Sequence, residues 1–336
     1  MDRHTKNNNS KKTKLIAIVG PTASGKTALG VYLAKKFNGE IISADSRQVY
    51  KFMNIGTGKD LKEYDNIKYY CIDLIEPTSN FNLAKYVKYA KQAISKIQNK
   101  NKIPFLVGGT GLYINAIVEN YDLNREKIDI KLRKELELKT KRQLQKIVLN
   151  ICKKNKIKNP LNNSDWNNPY RLIRFIEKNK NKYSKDKKND KQYDTLIIGV
   201  KPDKTIMQEK IKKRLDARLE DEDMLKEIWD LHYKHHVAWK RIISFGLEHR
   251  FIGQFLKDNR KYFIKDKKLL NINNLEKSEL KDEYIKMKQG LEKEITHFAK
   301  KQMTWFKKNK DIIWLTGDKK EIYKTANKLV KEFILY

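Results

Sequence analysis

The octapeptide Gly20-Pro21-Thr22-Ala23-Ser24-Gly25-Lys26-Thr27 decides the fold of this chain. It satisfies the pattern G-x-x-x-x-G-K-[ST] and lies between an apolar run at residues 15–19 and a helical pattern at residues 27–37. In such a strand–loop–helix context the glycines let the backbone wrap an anion, while the helix N-terminus and the lysine supply positive charge. All eight residues, called the P-loop below, are therefore predicted to bind a diphosphate or triphosphate. The hydroxyl of Thr27 is the predicted ligand of Mg²⁺.

Strand and helix patterns alternate on the C-terminal side of the P-loop. The further apolar runs that predict strands lie at residues 40–44, 69–75, 103–107, 195–200 and 312–315. Helical spacing of apolar side chains occurs at residues 83–97, 204–218, 224–236, 242–256 and 284–306, and a final helix closes the chain. Because this alternation is typical of parallel sheets with crossover connections, the predicted fold is α/β, a P-loop NTPase-like parallel sheet flanked by helices.

The middle of the chain differs from this pattern. Residues 119–191 carry no strand pattern, and two helical segments, residues 128–152 and 165–178, are joined by Asn- and Lys-rich connectors. We predict an all-helical insertion domain there. The predicted divisions are a disordered basic tail at residues 1–14, a first part of the core at 15–118, the insertion at 119–191, and a second part of the core with C-terminal helices at 192–336.

Composition limits the possible functions. The chain has 74 Lys and Arg against 41 Asp and Glu, a formal net charge of +33. Such a charge favours a polyanion such as nucleic acid, although solvated lysines of a biased composition would give the same number. No apolar run approaches the roughly 20 residues that span a bilayer, and two cysteines, Cys71 and Cys152, exclude a disulfide framework and a four-cysteine zinc site. We expect a cytoplasmic protein without a membrane partner.

Two further segments follow predicted strands. In Ser43-Ala44-Asp45-Ser46-Arg47-Gln48-Val49-Tyr50, the carboxylate of Asp45 stands at a strand tip, where it could act as a general base or cap a following helix. In Gly108-Gly109-Thr110-Gly111-Leu112-Tyr113, the Thr110 hydroxyl could donate to a phosphate or leaving group, or serve as an N-cap. Each segment taken alone leaves both interpretations open.

In order and spacing, these segments resemble those of the tRNA dimethylallyltransferase (isopentenyltransferase) family. Met53-Asn54-Ile55-Gly56-Thr57-Gly58-Lys59 and Phe298-Ala299-Lys300-Lys301-Gln302-Met303-Thr304-Trp305 extend the resemblance over roughly residues 15–315. It implies a core whose helical insertion grips the tRNA anticodon stem-loop. The implied reaction moves a dimethylallyl group from dimethylallyl diphosphate to N6 of adenosine 37, giving N6-(dimethylallyl)adenosine, with Mg²⁺ as cofactor.

The resemblance also implies roles for single residues. Asp45 would receive the N6 proton, Thr110 would contact the leaving oxygen, and the P-loop would cradle the diphosphate. Residues expected to meet tRNA, by resemblance or by their place on a basic helix face, are Asp45, Ser46, Arg47, Gln48, Thr110, Arg133, Tyr170, Arg171, Arg174, Lys300 and Lys301. We expect the protein to act as a monomer.

One position departs from the family. Many members have Gly-Tyr followed by a basic residue, whereas this chain has Gly246-Leu247-Glu248. A cation expected near the diphosphate is therefore missing at position 248, and Arg250 is the nearest candidate to replace it. This leaves two alternative functions. One is an adenylate isopentenyltransferase, which would need neither the insertion nor the charge. The other is a tRNA-binding P-loop protein with reduced activity.

Overall fold

The computed structural model describes residues 12–121, 123, 129–180, 190–220, 223–265, 268–269 and 279–336. The chain divides into two compact units. The core unit comprises Met1–Asn120 and Asp190–Tyr336, and the insert unit comprises Tyr121–Asn189. The tail predicted at residues 1–14 lies outside the described residues up to residue 11.

The core unit is built on one parallel sheet. Its strands are β1 (Thr13–Val19), β2 (Gly39–Ser43), β3 (Tyr69–Tyr70), β4 (Ile103–Gly108), β5 (Tyr193–Val200) and β8 (Ile312–Leu315), and a separate antiparallel pair consists of β6 (Ile264–Lys265) and β7 (Lys268–Leu269). The six strands follow the order β3-β2-β4-β1-β5-β8. β1 pairs with β4 and β5 on its two sides, both in parallel, and residues 15–19 are fully buried. Because all the carboxyl ends lie at one edge, the loops after β1, β2 and β4 meet there.

Helices of the core unit flank this sheet. Over both units, the helices in chain order are α1 (Lys26–Lys36), α2 (Leu83–Gln98), α3 (Gly111–Val118), α4 (Ile130–Glu137), α5 (Lys141–Lys154), α6 (Asn163–Trp166), α7 (Pro169–Lys180), α8 (Lys204–Glu220), α9 (Met224–Tyr233), α10 (Trp239–Ser244), α11 (Leu247–Asp258), α12 (Arg260–Phe263), α13 (Lys281–Phe306) and α14 (Lys319–Leu335), of which α4 to α7 belong to the insert unit. The predicted α/β fold with a parallel sheet between helices is confirmed. Within the described residues, no helix is long and apolar enough to span a bilayer.

Three predicted boundaries in the core were wrong. The strand predicted at residues 69–75 ends after Tyr70, because Cys71 and Asp73 have φ of 63° and 52°, outside the extended region. The helix predicted at residues 242–256 is interrupted at Gly246, where φ is 75°. Thr13 and Lys14, assigned by sequence to the disordered tail, are part of β1, and the Lys14 ammonium donates to carbonyls at the end of α14.

The insert unit consists, in its described part, of α4 to α7. The helix predicted at residues 128–152 is two helices, because Thr140 forms a capping box with Gln143 that starts α5. Residues 122, 124–128 and 181–189 of this region lie outside the described residues. The helices enclose a small apolar core of their own: Leu132, Leu136, Leu144, Val148, Cys152, Leu172, Ile173 and Ile176.

Candidate active site

A cavity of about 490 Å³ opens at the carboxyl edge of the sheet, within the core unit. It gathers most of the site residues predicted there from sequence: Thr22, Ala23, Gly25, Lys26, Thr27, Asp45, Ser46, Arg47, Gln48 and Thr110. The other P-loop residues, Gly20, Pro21 and Ser24, do not line it. Lys300 and Lys301 lie elsewhere on the core unit, and Arg133, Tyr170, Arg171 and Arg174 belong to the insert unit.

The P-loop has the geometry of an anion site. Gly25, with φ of 83°, turns the chain into α1, whose first turn carries no acidic residue. Lys26 Nζ donates to Pro21 O at 3.1 Å, and desolvation lowers the pKa of Lys26 to about 8. Ser24 Oγ is buried and has no hydrogen-bond partner among the described residues. A bound diphosphate would neutralise the positive charge of this loop and accept a hydrogen bond from the unpartnered Ser24 hydroxyl.

Asp45 and Thr110 lie at the tips of the neighbouring strands β2 and β4. Asp45 Oδ1 accepts a hydrogen bond from the Arg47 backbone N–H at 2.9 Å, and residues 46–49 form a turn. Thr110 Oγ1 accepts from the Ser46 backbone N–H at 3.0 Å and makes no capping bond to α3. Asp45 therefore precedes a turn rather than a helix, so its interpretation as a helix cap was wrong. Thr110 does occupy the N-cap position of α3, but its hydroxyl is bonded to Ser46 and not to the helix. Their side chains line the same cavity as the P-loop.

Gln48 and Glu227 organise the loop at residues 53–59. The Gln48 side-chain amide donates to Gly58 O at 3.0 Å. From α9, the Glu227 carboxylate accepts from the backbone N–H groups of Asn54, Ile55 and Gly56 at 2.6, 2.7 and 3.0 Å. Burial raises the pKa of Glu227, and the three N–H bonds oppose that rise. The 53–59 loop is thus held beside the cavity by the Glu227 carboxylate and the Gln48 amide.

Sequence analysis missed three cations of this site. Lys210, Arg214 and Arg218 of α8 line the cavity. Arg214 Nη2 lies 2.6 Å from Asp60 Oδ2, and Arg218 Nη2 lies 3.7 Å from Asp60 Oδ1. The signal that could have found them is their spacing of four residues, which places all three on one face of a helix.

Gln302 of α13 was also missed, although it stands in a quoted segment. Its side-chain oxygen accepts from the Thr22 backbone N–H at 2.8 Å, and its Nε2 donates to Gly109 O at 2.9 Å. The buried amide therefore ties the P-loop to the loop that carries Thr110.

Glu248 lines the cavity at the start of α11 and is only 7% exposed. Its Oε2 lies 4.0 Å from Arg47 Nη1. Arg250, by contrast, is absent from the cavity wall, and its Nη2 lies 3.4 Å from Glu294 Oε1. The structure therefore gives no support to Arg250 as the replacement for the missing cation.

The predicted arginines of the insert unit take part in ion pairs. Arg133 Nε and Nη2 donate to Glu177 Oε1 and Oε2 at 2.7 and 2.6 Å, and Glu177 is buried. Arg174 Nη1 lies 3.4 Å from the same carboxylate, and Arg171 pairs with Asp165. Tyr170 is 65% exposed. Arg133 thus joins α4 to α7, whereas Tyr170 and Arg171 face solvent.

Lys300 and Lys301 are exposed on α13. Lys300 lines a groove of about 300 Å³ beside Pro21. The other lysines of that groove are Lys201, Lys204 and Lys307. Four ammonium groups around one groove form a strongly positive surface on the core unit.

Comparison with known proteins finds matches along most of this chain. Residues 48–309 match the family model described as IPP transferase, and residues 13–78 match that described as isopentenyl transferase. The tRNA dimethylallyltransferase 1 of Geotalea uraniireducens is 36% identical over 310 residues, which cover 90% of this chain and 93% of that protein. The tRNA dimethylallyltransferase of Finegoldia magna is 36% identical over 340 residues, covering 96% and 98%.

Solved structures extend the likeness to three dimensions. The tRNA isopentenylpyrophosphate transferase of Bacillus halodurans has a TM-score of 0.67 at 27% identity and covers 96% of this chain and 97% of that one. A eukaryotic dimethylallyltransferase solved acting on tRNA has a TM-score of 0.73 at 21% identity, covering 96% and 79%, which bears on the fold alone. Since the two sequence relatives are 36% identical over 90% and 96% of this chain and over 93% and 98% of their own length, the chain belongs to the tRNA dimethylallyltransferase (IPP transferase) family.

Proposed function

We propose that this protein transfers a dimethylallyl group from dimethylallyl diphosphate to N6 of adenosine 37 in the tRNA anticodon loop. The observation that carries the proposal is the meeting of the P-loop, Asp45 and Thr110 in one cavity. An anion site, a carboxylate and a hydroxyl donor are the groups this transfer needs side by side. We also propose that the protein acts as a monomer.

The donor's diphosphate would bind in the P-loop. Its negative charge grows as the allylic C–O bond breaks, and Lys26 with Arg214 would stabilise that charge. No cluster of three or more His, Cys, Asp or Glu that could hold a metal occurs among the described residues. A single Thr27 hydroxyl beside the diphosphate nevertheless fits Mg²⁺, which is usually bound by one or two protein groups together with phosphate oxygens. Bound there, Mg²⁺ would supply Lewis-acid stabilisation of the leaving group.

The acceptor nitrogen needs a base. The N6 lone pair of adenine is delocalised into the ring, so its attack on the allylic carbon is helped by removal of a proton. Asp45 would accept that proton as the new C–N bond forms and the C–O bond breaks. The Thr110 hydroxyl would donate to the departing oxygen, and diphosphate would be the leaving group. The target base must leave its stack to reach the cavity.

We propose the insertion at residues 119–191 as the tRNA-binding domain. Tyr170, Arg171 and Arg174 are its proposed contacts with the anticodon stem-loop, and Lys300 and Lys301 would add contacts on the core. Because the Arg133 guanidinium is engaged by the buried Glu177, its role toward tRNA would be to support α7.

Two free cysteines, Cys71 and Cys152, together with a tRNA substrate, favour the cytoplasm as the compartment of this protein.

The proposal is tested by incubating the protein and Mg²⁺ with labelled dimethylallyl diphosphate and either unmodified tRNA or AMP. Label in tRNA, at an adenosine next to the anticodon, is the expected result. Label in AMP alone would identify an adenylate isopentenyltransferase. Binding of tRNA without transfer to either acceptor would identify a tRNA-binding protein that lacks the activity.

Lys26→Met is expected to weaken dimethylallyl diphosphate binding by about tenfold to a hundredfold, the usual value of a hydrogen bond to a charged group. Affinity for tRNA should stay within about twofold, as the lysine faces the donor in this proposal. Isothermal titration with each substrate measures both. Lys35→Met, at the exposed end of the same helix, is the matched control. Equal losses for donor and tRNA would contradict separate binding sites.

Arg171→Ala combined with Arg174→Ala is expected to weaken tRNA binding and to flatten its salt dependence. Each tRNA phosphate that the variant no longer neutralises lowers the log–log salt slope by roughly 0.7–0.9. Filter binding between low and moderate salt measures the slope. Neutralising four lysines between residues 178 and 191 is the control and should change the slope little. The opposite ranking would show that diffuse charge, rather than a shaped helix face, binds the tRNA.

A further inference from the structure

Glu248 poses an electrostatic problem for the proposed donor site. A carboxylate stands in the cavity wall at the position where the family resemblance led us to expect a basic residue, and it is almost completely buried. Unpaired, it would repel a diphosphate and would be costly to bury. Its surroundings in this chain must therefore differ as well.

Three arginines surround this carboxylate. Arg47 lies 4.0 Å away, and the charges of Arg47, Arg218 and Arg214 all oppose the rise that burial causes in the pKa of Glu248. Arg218 and Glu248 line a common recess next to Ala23 of the P-loop. Asp60 also lies 3.7 Å from Arg218 and 2.6 Å from Arg214. The cavity wall therefore carries acidic and basic side chains close together.

Arg218 is held close to the 53–59 loop. A Cβ atom built on Gly58 would lie 2.7 Å from Arg218 Nη2, so the guanidinium packs directly against the loop backbone. Arg218 is 6% exposed and belongs to the wall of the cavity. A buried guanidinium in this place requires counter-charges, and Glu248 with Asp60 provides them.

Neighbouring groups are poorer sources of the missing charge. Arg250 pairs with Glu294 away from the cavity. His249 is fully buried, and burial together with the charges of Arg47 and Lys59 lowers its pKa to about 3, so its ring is neutral near pH 7.

We propose that Arg218 supplies the cation that position 248 lacks, and that Glu248 is a positioning residue that orients Arg218 and Arg47 toward the diphosphate. The cation beside the diphosphate would then lie on α8, as Arg218, while position 248 on α11 holds an acid. This inference rests on the proposed donor site.

A double-mutant cycle tests the exchange. Arg218→Met is expected to weaken binding of dimethylallyl diphosphate with Mg²⁺ by about tenfold to a hundredfold, while tRNA affinity stays unchanged. Adding Glu248→Arg to Arg218→Met returns a cation from the α11 side and should recover most of that loss. Arg250→Met, the matched control on α11, should bind the donor as the wild type does. Thermal unfolding verifies that each variant is folded.

Glu248→Gln tests the positioning role separately and removes only a charge. Slower single-turnover transfer is expected, because Arg47 and Arg218 lose the group that orients them. Tighter donor binding with faster transfer would mean that Glu248 is only a repulsive charge, and would overturn this part. Wild-type donor affinity in Arg218→Met, or no recovery in the folded double variant, would overturn the exchange. A wild-type protein that fails to bind the donor would instead refute the proposed function.

Discussion

Asp45→Asn is expected to lower the single-turnover rate of transfer by at least about 10²-fold, the usual scale for loss of a general base. The substitution preserves the side-chain oxygen that accepts from the Arg47 N–H, so the turn after β2 should remain intact. Only the ability to take a proton is lost. The measurement is transfer of labelled dimethylallyl to an unmodified anticodon stem-loop at saturating concentrations of both substrates.

Asp65→Asn is the control for this substitution, because Asp65 is an exposed partner of Lys35 and is absent from the cavity wall. It should transfer at the wild-type rate. Circular dichroism and the unfolding temperature of Asp45→Asn should match those of the wild type. Near-wild-type transfer by the folded Asp45→Asn protein would refute Asp45 as the base.

Glu227→Ala is expected to lower the free energy of unfolding by about 2–6 kcal/mol, because the partly buried N–H groups of Ile55 and Gly56 lose their acceptor and each unmet group costs about 1–3 kcal/mol. The exposed N–H of Asn54 can bond to water instead. Donor binding should weaken as well, since Gly56, Thr57 and Gly58 line the cavity. Urea unfolding followed by fluorescence measures the first effect, and titration with the donor measures the second.

Asp230→Ala gives the comparison for Glu227→Ala on the same helix. Asp230 pairs with Lys226 at the surface, one turn apart, and such pairs contribute about 0–1 kcal/mol. Glu227→Gln, which keeps one acceptor oxygen, should fall between the two. If Glu227→Ala were no more destabilised than Asp230→Ala, the 53–59 loop would not depend on this carboxylate.

The sequence was sufficient for those parts of the site that are local. A strand, a glycine-rich loop and a helix follow one another within residues 13–36, so the P-loop could be recognised and placed. Asp45 and Thr110 end parallel strands, and this topology alone brings them to the same edge. The helix-cap alternative for Asp45 was wrong for a local reason too, because its carboxylate closes a turn.

The remaining parts depend on contacts between distant segments. Glu227 binds a loop more than 170 residues earlier in the chain, and no pattern near either segment announces that contact. Arg133 and Glu177 are 44 residues apart in the sequence, so their ion pair could not be predicted from the local pattern. The four-residue spacing of Lys210, Arg214 and Arg218 indicates a basic helix face, but only tertiary packing turns that face of α8 toward the cavity.

The bridge made by Gln302 has a consequence for the synthesis of the protein. The P-loop leaves the ribosome early, whereas the amide that fastens Thr22 to Gly109 arrives 280 and 193 residues later, respectively. A nascent chain that stops before α13 has the P-loop but lacks the Gln302 bridge. The cavity at the carboxyl edge of the sheet is therefore completed only in the last stage of translation, and prematurely terminated chains lack the amide that joins two of its loops.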